Sequence, residues 1–266
     1  MTLSNREKCQ KYWDETAEQY QALTRISTTD FHYGPLLAGD KSLKLLPPIK
    51  PGMKCLELGC GAAQNSFYLA SLGADCLGID ISAEQIDYAQ RLAKDSDLEI
   101  KLQRSNFDEV SKEEFGSFDL IHSTWALPFA DNQEKVVRQC AQMLNPGGYM
   151  VLTTGHPVFA GEWIELEDFE EGMFLTDYFK PPVEVRFTED EEEFIQARQY
   201  PISTYLDWLL SSGLTLVKLV EHQPVDVAIM SEAEIEEQVP YDSSVWRTLY
   251  EQVKHIPFVV TYIVKK

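Results

Sequence analysis

The chain has 266 residues, of which 44% are hydrophobic and 25% charged, a balance typical of one globular domain with its own core. Its 23 basic residues against 43 acidic ones give a formal net charge of −20, which disfavours nucleic acid and anionic membrane surfaces as partners. The acidic balance reflects either a solvated surface alone or a preference for a cationic or neutral substrate.

The five cysteines indicate a reducing compartment. They form no CxxC pair, and three of them lie in apolar strand or helix patterns, so we expect neither a disulfide framework nor a metal site. The N-terminus lacks an apolar leader segment, and no apolar run is long enough to span a membrane. The expected location is therefore the cytoplasm.

The first 48 residues are predicted to form an N-terminal helical cap. Residues 5–22 have the pattern of a polar helix with one aromatic stripe, formed by Tyr12, Trp13 and Tyr20. A second apolar segment, roughly residues 34–46, ends at Pro47 and Pro48, where a helix cannot continue.

From residue 53, strand and helix patterns alternate. The strands are short and apolar on both faces, which is typical of a parallel sheet covered by helices on both sides. We predict an α/β fold with a doubly wound, mostly parallel Rossmann-like sheet. The predicted strands are 54–58, 75–80, 98–104, 118–123 and 149–154, and the predicted helices are 63–72, 83–95 and 132–144.

Residues 157–200, after the fifth strand, interrupt this alternation. They are acidic and aromatic together, and include Trp163, Phe169 and the run Glu189–Glu193. The segment is either a surface insertion or a substrate lid. A helix at 201–212, a strand at 215–222, an acidic excursion at 224–255 and a last strand at 256–264 complete a single domain, residues 1–266.

A glycine turn after the first strand carries the clearest chemical signal. Gly59 and Gly61 allow the backbone to approach a ligand, and Asp80 ends the next strand, where a carboxylate can bind ribose hydroxyls. A dinucleotide fingerprint would have glycine at position 64, where this chain has Gln64, and Glu57 is unsuited to a pyrophosphate. The turn therefore favours a nucleoside ligand without phosphates.

Four ordered segments resemble the class I S-adenosylmethionine-dependent methyltransferases. They are Leu56–Ser66, Gly78–Ser82, Phe118–Ser123 and Leu144–Tyr149. The resemblance implies S-adenosyl-L-methionine as cofactor and methyl transfer, by in-line displacement, to an oxygen, nitrogen or carbon atom of a small molecule. The chain departs from the family at Ala63, where glycine is common.

The resemblance also implies roles for individual residues. Gly59 and Gly61 would approach the methionine part, Asp80 would bind the ribose, and Tyr20 would close over the cofactor. Ile81 would pack on the adenine, and the amide oxygen of Asn106 would meet its amino group. The complete set of expected cofactor-binding residues is Tyr20, Glu57, Gly59, Gly61, Gln64, Asn65, Asp80, Ile81, Asn106, Phe107 and Ser123.

A general base is required only where the accepting atom holds its proton tightly. His156, which follows the fifth strand, is the first candidate, and His32 in the cap is the second. Each could instead be structural, and His122 is expected to be a buried packing residue. Two other functions stay open: a catalytically silent methyltransferase-like subunit that binds a protein partner, and an NAD-dependent dehydrogenase. Cofactor binding distinguishes all three.

Overall fold

The computed structural model describes residues 3–165, 171–187 and 193–266. Phe169 and residues 189–192 of the acidic run lie outside the described residues. Within the described part of the chain, no helix is long and apolar enough to cross a membrane.

Among the described residues, seven strands form the central sheet: β1 (Lys54–Leu58), β2 (Asp75–Asp80), β3 (Ile100–Arg104), β4 (Phe118–Thr124), β5 (Leu144–Gly155), β6 (Thr215–His222) and β7 (Val259–Lys265). Their order in the sheet is β6-β7-β5-β4-β1-β2-β3. The strands β3, β2, β1, β4 and β5 run parallel, and β7 is antiparallel to both β5 and β6. This topology confirms the predicted doubly wound, mostly parallel fold.

The central strands bury both faces because successive side chains point to opposite sides of a sheet. Leu56, Ile121 and Met150 contribute to one hydrophobic core, whereas the preceding or following residues Cys55 and Leu120 contribute to the other. The short, wholly apolar strand patterns of the sequence follow from this double coverage.

The helices lie between the strands and in the two flanking segments. The N-terminal helix begins with a capping box in which the Ser4 hydroxyl and the Glu7 carboxylate satisfy each other's backbone N–H groups. In the apolar segment 34–46, only four residues are helical. The helices are α1 (Asn5–Leu23), α2 (Asp40–Leu43), α3 (Gln64–Ser71), α4 (Ala83–Lys94), α5 (Lys112–Phe115), α6 (Gln133–Met143), α7 (Ile202–Ser211), α8 (Glu232–Gln238), α9 (Ser244–Thr248) and α10 (Tyr250–Val253).

The described parts of the insertion form two antiparallel strand pairs. Glu162–Glu165 pairs with Glu171–Phe174, and Glu184–Phe187 pairs with Glu193–Ala197. In the excursion at 224–255, the strand Tyr241–Ser243 pairs with Thr24–Ile26 beside α1. Segments distant in sequence therefore meet above the carboxyl edge of the sheet, where open α/β folds bind ligands.

Candidate active site

A cavity of ≈ 930 Å³ lies at this edge, within the range of about 300–1,000 Å³ that is usual for ligand pockets. It has two parts, which we name by their residues. The glycine end is lined by Gly59, Gly61, Asp80, Ile81, Gln85, Asn106 and Phe107, and the aromatic end by Trp125, Gly155, His156, Phe159, Gln199 and Trp246.

The turn at the glycine end leaves no room for a side chain on Gly59. Gly59 and Gly61 have φ values of +63° and +53°, in the left-handed region that glycine tolerates best. A Cβ atom on Gly59 would lie 2.3 Å from the Cβ of Ala126, so the backbone of Gly59 lies directly against this alanine. Ala63, where the family commonly has glycine, also adopts a positive φ of +61° and begins α3. The backbone of the turn therefore still lies close to its neighbours, although alanine stands at position 63.

Asp80 is fixed by backbone donors. Gly61 N–H donates to its Oδ2 at 2.9 Å, and Ser82 N–H donates to its Oδ1 at 2.9 Å. Burial raises the pKa of Asp80, and these two N–H groups oppose the rise. Each carboxylate oxygen retains capacity for a further hydrogen bond, so the side chain can receive two hydroxyl donors from the cavity.

Asn106 and Phe107 close the other side of the glycine end. The Asn106 Oδ1 accepts a hydrogen bond from Asp108 N–H at 3.0 Å, which starts a short 3₁₀ turn. Its Nδ2 is buried and has no hydrogen-bond partner among the described residues. A ligand that offers an acceptor here would satisfy that donor.

Tyr20 reaches the cavity from α1 and shares a hydrogen bond of 2.7 Å with the hydroxyl of Tyr241. Trp13 packs edge-on against Tyr20 and Phe129, with ring centroids 5.5 Å and 5.6 Å apart. Asp14 accepts a hydrogen bond of 2.7 Å from Ser82 Oγ, which ties α1 to the beginning of α4. The cap is thus held against the glycine end at two points.

Seven of the eleven residues expected to bind the cofactor line the cavity, and four lie behind the turn. Glu57 accepts hydrogen bonds from the Ser66 N–H and hydroxyl groups at 3.1 Å and 2.5 Å, and Ser123 Oγ donates to the Leu58 carbonyl. Gln64 Nε2 donates to Gln21, and the Asn65 side chain bonds both backbone groups of His32. In the structure these four side chains brace the turn and the cap.

His156 lies at the aromatic end, but the protein occupies both of its ring nitrogens. Nδ1 accepts from Val158 N–H at 3.1 Å, so Nε2 carries the proton and donates to Glu221 Oε1 at 2.9 Å. Burial lowers the pKa of His156, and Glu221 partly offsets the shift. His156 could take a substrate proton only after one of these partners moves away.

His32 is buried beside Tyr241 and is not among the residues that line the cavity. Burial lowers its pKa to about 3, which makes it a weak base at neutral pH. His122 is also buried within β4, and its pKa is likewise about 3. Its Nδ1 lies 3.9 Å from Glu57, whose pKa burial raises to about 8. Since His122 is neutral at pH 7, the two side chains do not form an ion pair.

Sequence reasoning missed several lining residues. Ala126 follows β4 and lies against Gly59, while Gln85 lies on α4 near Gly61. Gln199, Tyr241 and Trp246 come from the insertion and the excursion, which carry no motif. Only the fold brings these residues to the sheet edge. Among the described residues, no group of three or more His, Cys, Asp or Glu side chains could hold a metal ion.

Residues 56–152 match the family described as "Methyltransferase domain", and this segment contains most of β1, the glycine turn, Asp80 and most of β5. This segment is therefore similar to the methyltransferase domain of the class I S-adenosylmethionine-dependent methyltransferases. The cofactor of this family is S-adenosylmethionine.

Relatives within the family are distant. An enzyme from Xanthomonas campestris named "Ubiquinone biosynthesis O-methyltransferase" is 30% identical over 104 residues, which are 39% of this chain and 44% of the relative, so the match spans less than half of either protein. A solved S-adenosylmethionine-dependent methyltransferase from Mesorhizobium loti is 22% identical, with a TM-score of 0.64 over 85% of this chain and 96% of the other. The [4+2]-cyclase SpnF is 13% identical, with a TM-score of 0.59 over 97% and 94% of the two chains. Since a cyclase shares the fold, the fold alone does not fix the reaction.

Proposed function

We propose that this methyltransferase binds S-adenosylmethionine at the glycine end and transfers its methyl group to a small molecule held at the aromatic end. The observation that carries the proposal is the carboxylate of Asp80, positioned by Gly61 and Ser82 N–H groups beside a turn in which a side chain on Gly59 has no room. The curated relative that matches part of the chain is named as an O-methyltransferase, which supports a small-molecule acceptor.

The residues at the glycine end fit this cofactor. The free lone pairs of Asp80 would accept hydrogen bonds from two ribose hydroxyls, each worth about 1.5–3 kcal/mol. The unpaired Asn106 Nδ2 would donate to a ring nitrogen of the adenine, because its Oδ1 is already engaged by Asp108 N–H. Phe107 and Ile81 would supply apolar contacts to the base.

When bound, the cofactor supplies an activated methyl group, and the protein's task is to align the acceptor and exclude water. Trp125 and Ala126 follow β4 and join the two ends of the cavity, with Ala126 against Gly59 and Trp125 against Trp246. Tyr20 and Trp13 on α1 cover the glycine end from above. Together these groups would hold the acceptor beside the cofactor and exclude water.

The general-base roles of His156 and His32 stay predictions. His156 would need to release Glu221 or Val158, and His32 would need a path to the cavity. An acceptor that loses its proton readily to water would need neither residue.

The setting of the reaction is part of the proposal. All five cysteines are buried and free, which fits the reducing cytoplasm. The net charge of −20 fits a small-molecule acceptor better than nucleic acid.

Isothermal calorimetry with S-adenosylhomocysteine tests the proposal. Asp80→Asn should weaken binding by about ten- to a hundredfold, because the charge-assisted ribose bonds are lost while the shape is kept. Asp75→Asn is the matched control, since Asp75 begins the same strand, pairs with Lys101 at 2.9 Å and lies away from the cavity. Its affinity should equal that of the wild type.

Two results would overturn the proposal. A wild-type protein that does not bind S-adenosylhomocysteine would favour the catalytically silent subunit. Binding of NAD at the same turn, weakened by Asp80→Asn, would favour the dehydrogenase.

A further inference from the structure

The aromatic end contains a buried polar atom that the protein leaves unpaired. Gln199 Oε1 is buried and has no hydrogen-bond partner among the described residues, although its side chain lines the cavity. Buried polar atoms in proteins nearly always have a partner, because an unpaired one costs about 1–3 kcal/mol. An unpaired acceptor in a cavity wall therefore points to a donor on the ligand.

The core of the protein fixes the backbone next to Gln199. Arg198 N–H donates to the Pro128 carbonyl at 2.9 Å, and buried Gln133 donates from Nε2 to the Arg198 carbonyl at 2.8 Å. The Tyr205 hydroxyl in turn donates to Gln133 Oε1 at 2.6 Å. The residue before Gln199 is thus fixed through both its N–H and its carbonyl group.

Gly155, which has no side chain, leaves room in the cavity wall for the Gln199 amide. Its Nε2 lies 3.0 Å from the position that a Cβ on Gly155 would take, so a side chain at 155 would press on the amide. Gly155 ends β5, and Trp125, which follows β4, donates its N–H to the Thr153 carbonyl at 2.8 Å. Gln199 therefore lies at the carboxyl edge of the sheet.

The remaining surfaces of the aromatic end are mainly aromatic rings. The buried Trp125 Nε1 also has no partner among the described residues, but it lies against Gly34, which does not line the cavity. The rings of Trp125 and Trp246 meet at 72° with centroids 5.4 Å apart, and Phe159 lies 6.0 Å from Trp246. His156 is the one titratable residue of this end, and its two nitrogens already have protein partners. The charged lining residues of the insertion, Glu162, Glu184 and Arg186, are exposed. Among the described residues, the aromatic end therefore has no buried charged side chain that could neutralise a charged methyl-accepting substrate.

We propose that Gln199 is a specificity-determining residue that selects an uncharged aromatic hydroxyl compound as acceptor. The ring would pack against Trp125 and Trp246, and the hydroxyl group would donate its hydrogen bond to Gln199 Oε1. This assignment deepens the proposed function and rests on it, because it names the acceptor class for the same cavity.

Three bicyclic probes of similar size test the assignment by equilibrium dialysis, with and without saturating S-adenosylhomocysteine. They are 2-naphthol, which has a donor; 2-methoxynaphthalene, which has none; and 2-naphthoate, which is an anion. Wild-type protein should bind 2-naphthol about tenfold more tightly than either of the others. Gln199→Leu should reduce the ratio between 2-naphthol and its methyl ether to about one.

Gln139→Leu provides the matched control. Gln139 on α6 also has a buried Oε1 without a partner among the described residues, but it does not line the cavity. The same chemical change there should leave the probe ratio at its wild-type value, so a general effect of removing an unpaired amide is separated from a contact with the ligand.

The outcomes distinguish the two proposals. Protein that binds S-adenosylhomocysteine but binds 2-naphthol no better than its methyl ether, or does not bind 2-naphthol at all, overturns the assignment and leaves the proposed function standing. A tenfold preference that survives Gln199→Leu also overturns it. Failure to bind S-adenosylhomocysteine overturns the proposed function, and the dialysis without it still reports on Gln199.

Discussion

The two ends of the cavity are built in different ways. At the glycine end, the contacts are backbone N–H groups and strand-end side chains from residues 59–107, all within the alternating part of the chain. At the aromatic end, the residues come from 125 to 246, and their contacts are mainly ring packing. Few residue types can adopt the backbone geometry of the glycine end, whereas many combinations of aromatic side chains can pack together. The glycine end lies within the segment that matches the family model, residues 56–152, whereas Gly155, His156, Phe159, Gln199 and Trp246 of the aromatic end lie outside it.

Gly59→Ala should break the glycine end most severely. The new Cβ would lie 2.3 Å from the Ala126 Cβ at a residue with φ +63°, for a cost of about 1–3 kcal/mol from the backbone and about as much from the clash. S-adenosylhomocysteine binding, measured by calorimetry, should weaken about a hundredfold or more.

Gly52→Ala controls for backbone strain alone, because Gly52 has φ +78° and a Cβ atom added there would meet nothing within 4 Å. It should lower the free energy of unfolding by about 1 kcal/mol and leave the affinity unchanged. Equal losses of affinity in both variants would show that the close approach at Gly59 is unimportant.

Burial of His122 in the central sheet should make the free energy of unfolding depend on pH. Its pKa is lowered to about 3 from 6.5, so between these pH values the unfolded chain binds a proton that the folded chain does not. The free energy of unfolding should fall as the pH drops below 6.5, with His122 contributing about 1.4 kcal/mol per pH unit.

Urea unfolding should show that the free energy of unfolding of His122→Leu falls less steeply with decreasing pH between pH 6.5 and pH 4, by that amount per pH unit. His255→Leu, at an exposed position, should retain the wild-type slope. Identical slopes in His122→Leu and wild type would mean that His122 is solvated and can be protonated in the folded protein.

Trp246→Ala should affect the aromatic end alone. Loss of its ring contact with Trp125 should weaken 2-naphthol binding about tenfold and change S-adenosylhomocysteine affinity by less than about threefold. Trp208→Ala is the control, because Trp208 packs on Tyr200 and Tyr205 away from the cavity. If Trp246→Ala weakened the two ligands equally, the division of the cavity into two independent ends would be wrong.

Arg186→Ala should have the smallest effect, on the insertion that lines part of the cavity. The Arg186 guanidinium lies 5.4 Å from the Tyr12 ring centre and donates to the Tyr12 hydroxyl, contacts worth about 0.5–1 kcal/mol at an exposed site. Hydrogen exchange at residues 184–187 should accelerate about two- to fivefold.

The control for Arg186 is Arg138→Ala, which removes an exposed ion pair with Glu134 on α6. Exchange at residues 184–187 should be unchanged in that variant. Unchanged exchange in Arg186→Ala would show that this contact does not hold the insertion against α1.

The sequence predicts the sheet well because each central strand is a short apolar run bounded by turn residues. Lys54–Leu58, Asp75–Asp80 and Thr215–His222 agree with their predicted bounds, and the other strands differ by a few residues. The fifth strand differs most, since the Asn-Pro-Gly-Gly segment joins the ladder at Leu144 through a register shift. A turn motif predicts a chain reversal but cannot show that pairing resumes on both sides of it.

The sequence predicts the part of the site that is formed by a local motif, and does not predict the part that tertiary packing assembles. Gly59, Gly61 and Asp80 lie close in sequence and have a fixed spacing, so a local pattern identifies them. Gln199 and Trp246 carry no such pattern, because the insertion and the excursion reach the sheet edge only through tertiary packing. The engagement of both nitrogens of His156 depends on Glu221, which lies on another strand. No local pattern could have shown it.

The dipeptide Trp125–Ala126 has a consequence for protein engineering. Because one residue packs on the aromatic end and the next touches Gly59, a library randomised at 125 would alter donor affinity and acceptor choice together. Trp125 also has a φ of +63°, which restricts the replacements that the backbone accepts. Positions 199 and 246 lie outside the segment that follows β4. Varying them first should change which acceptors bind and leave the glycine end unchanged.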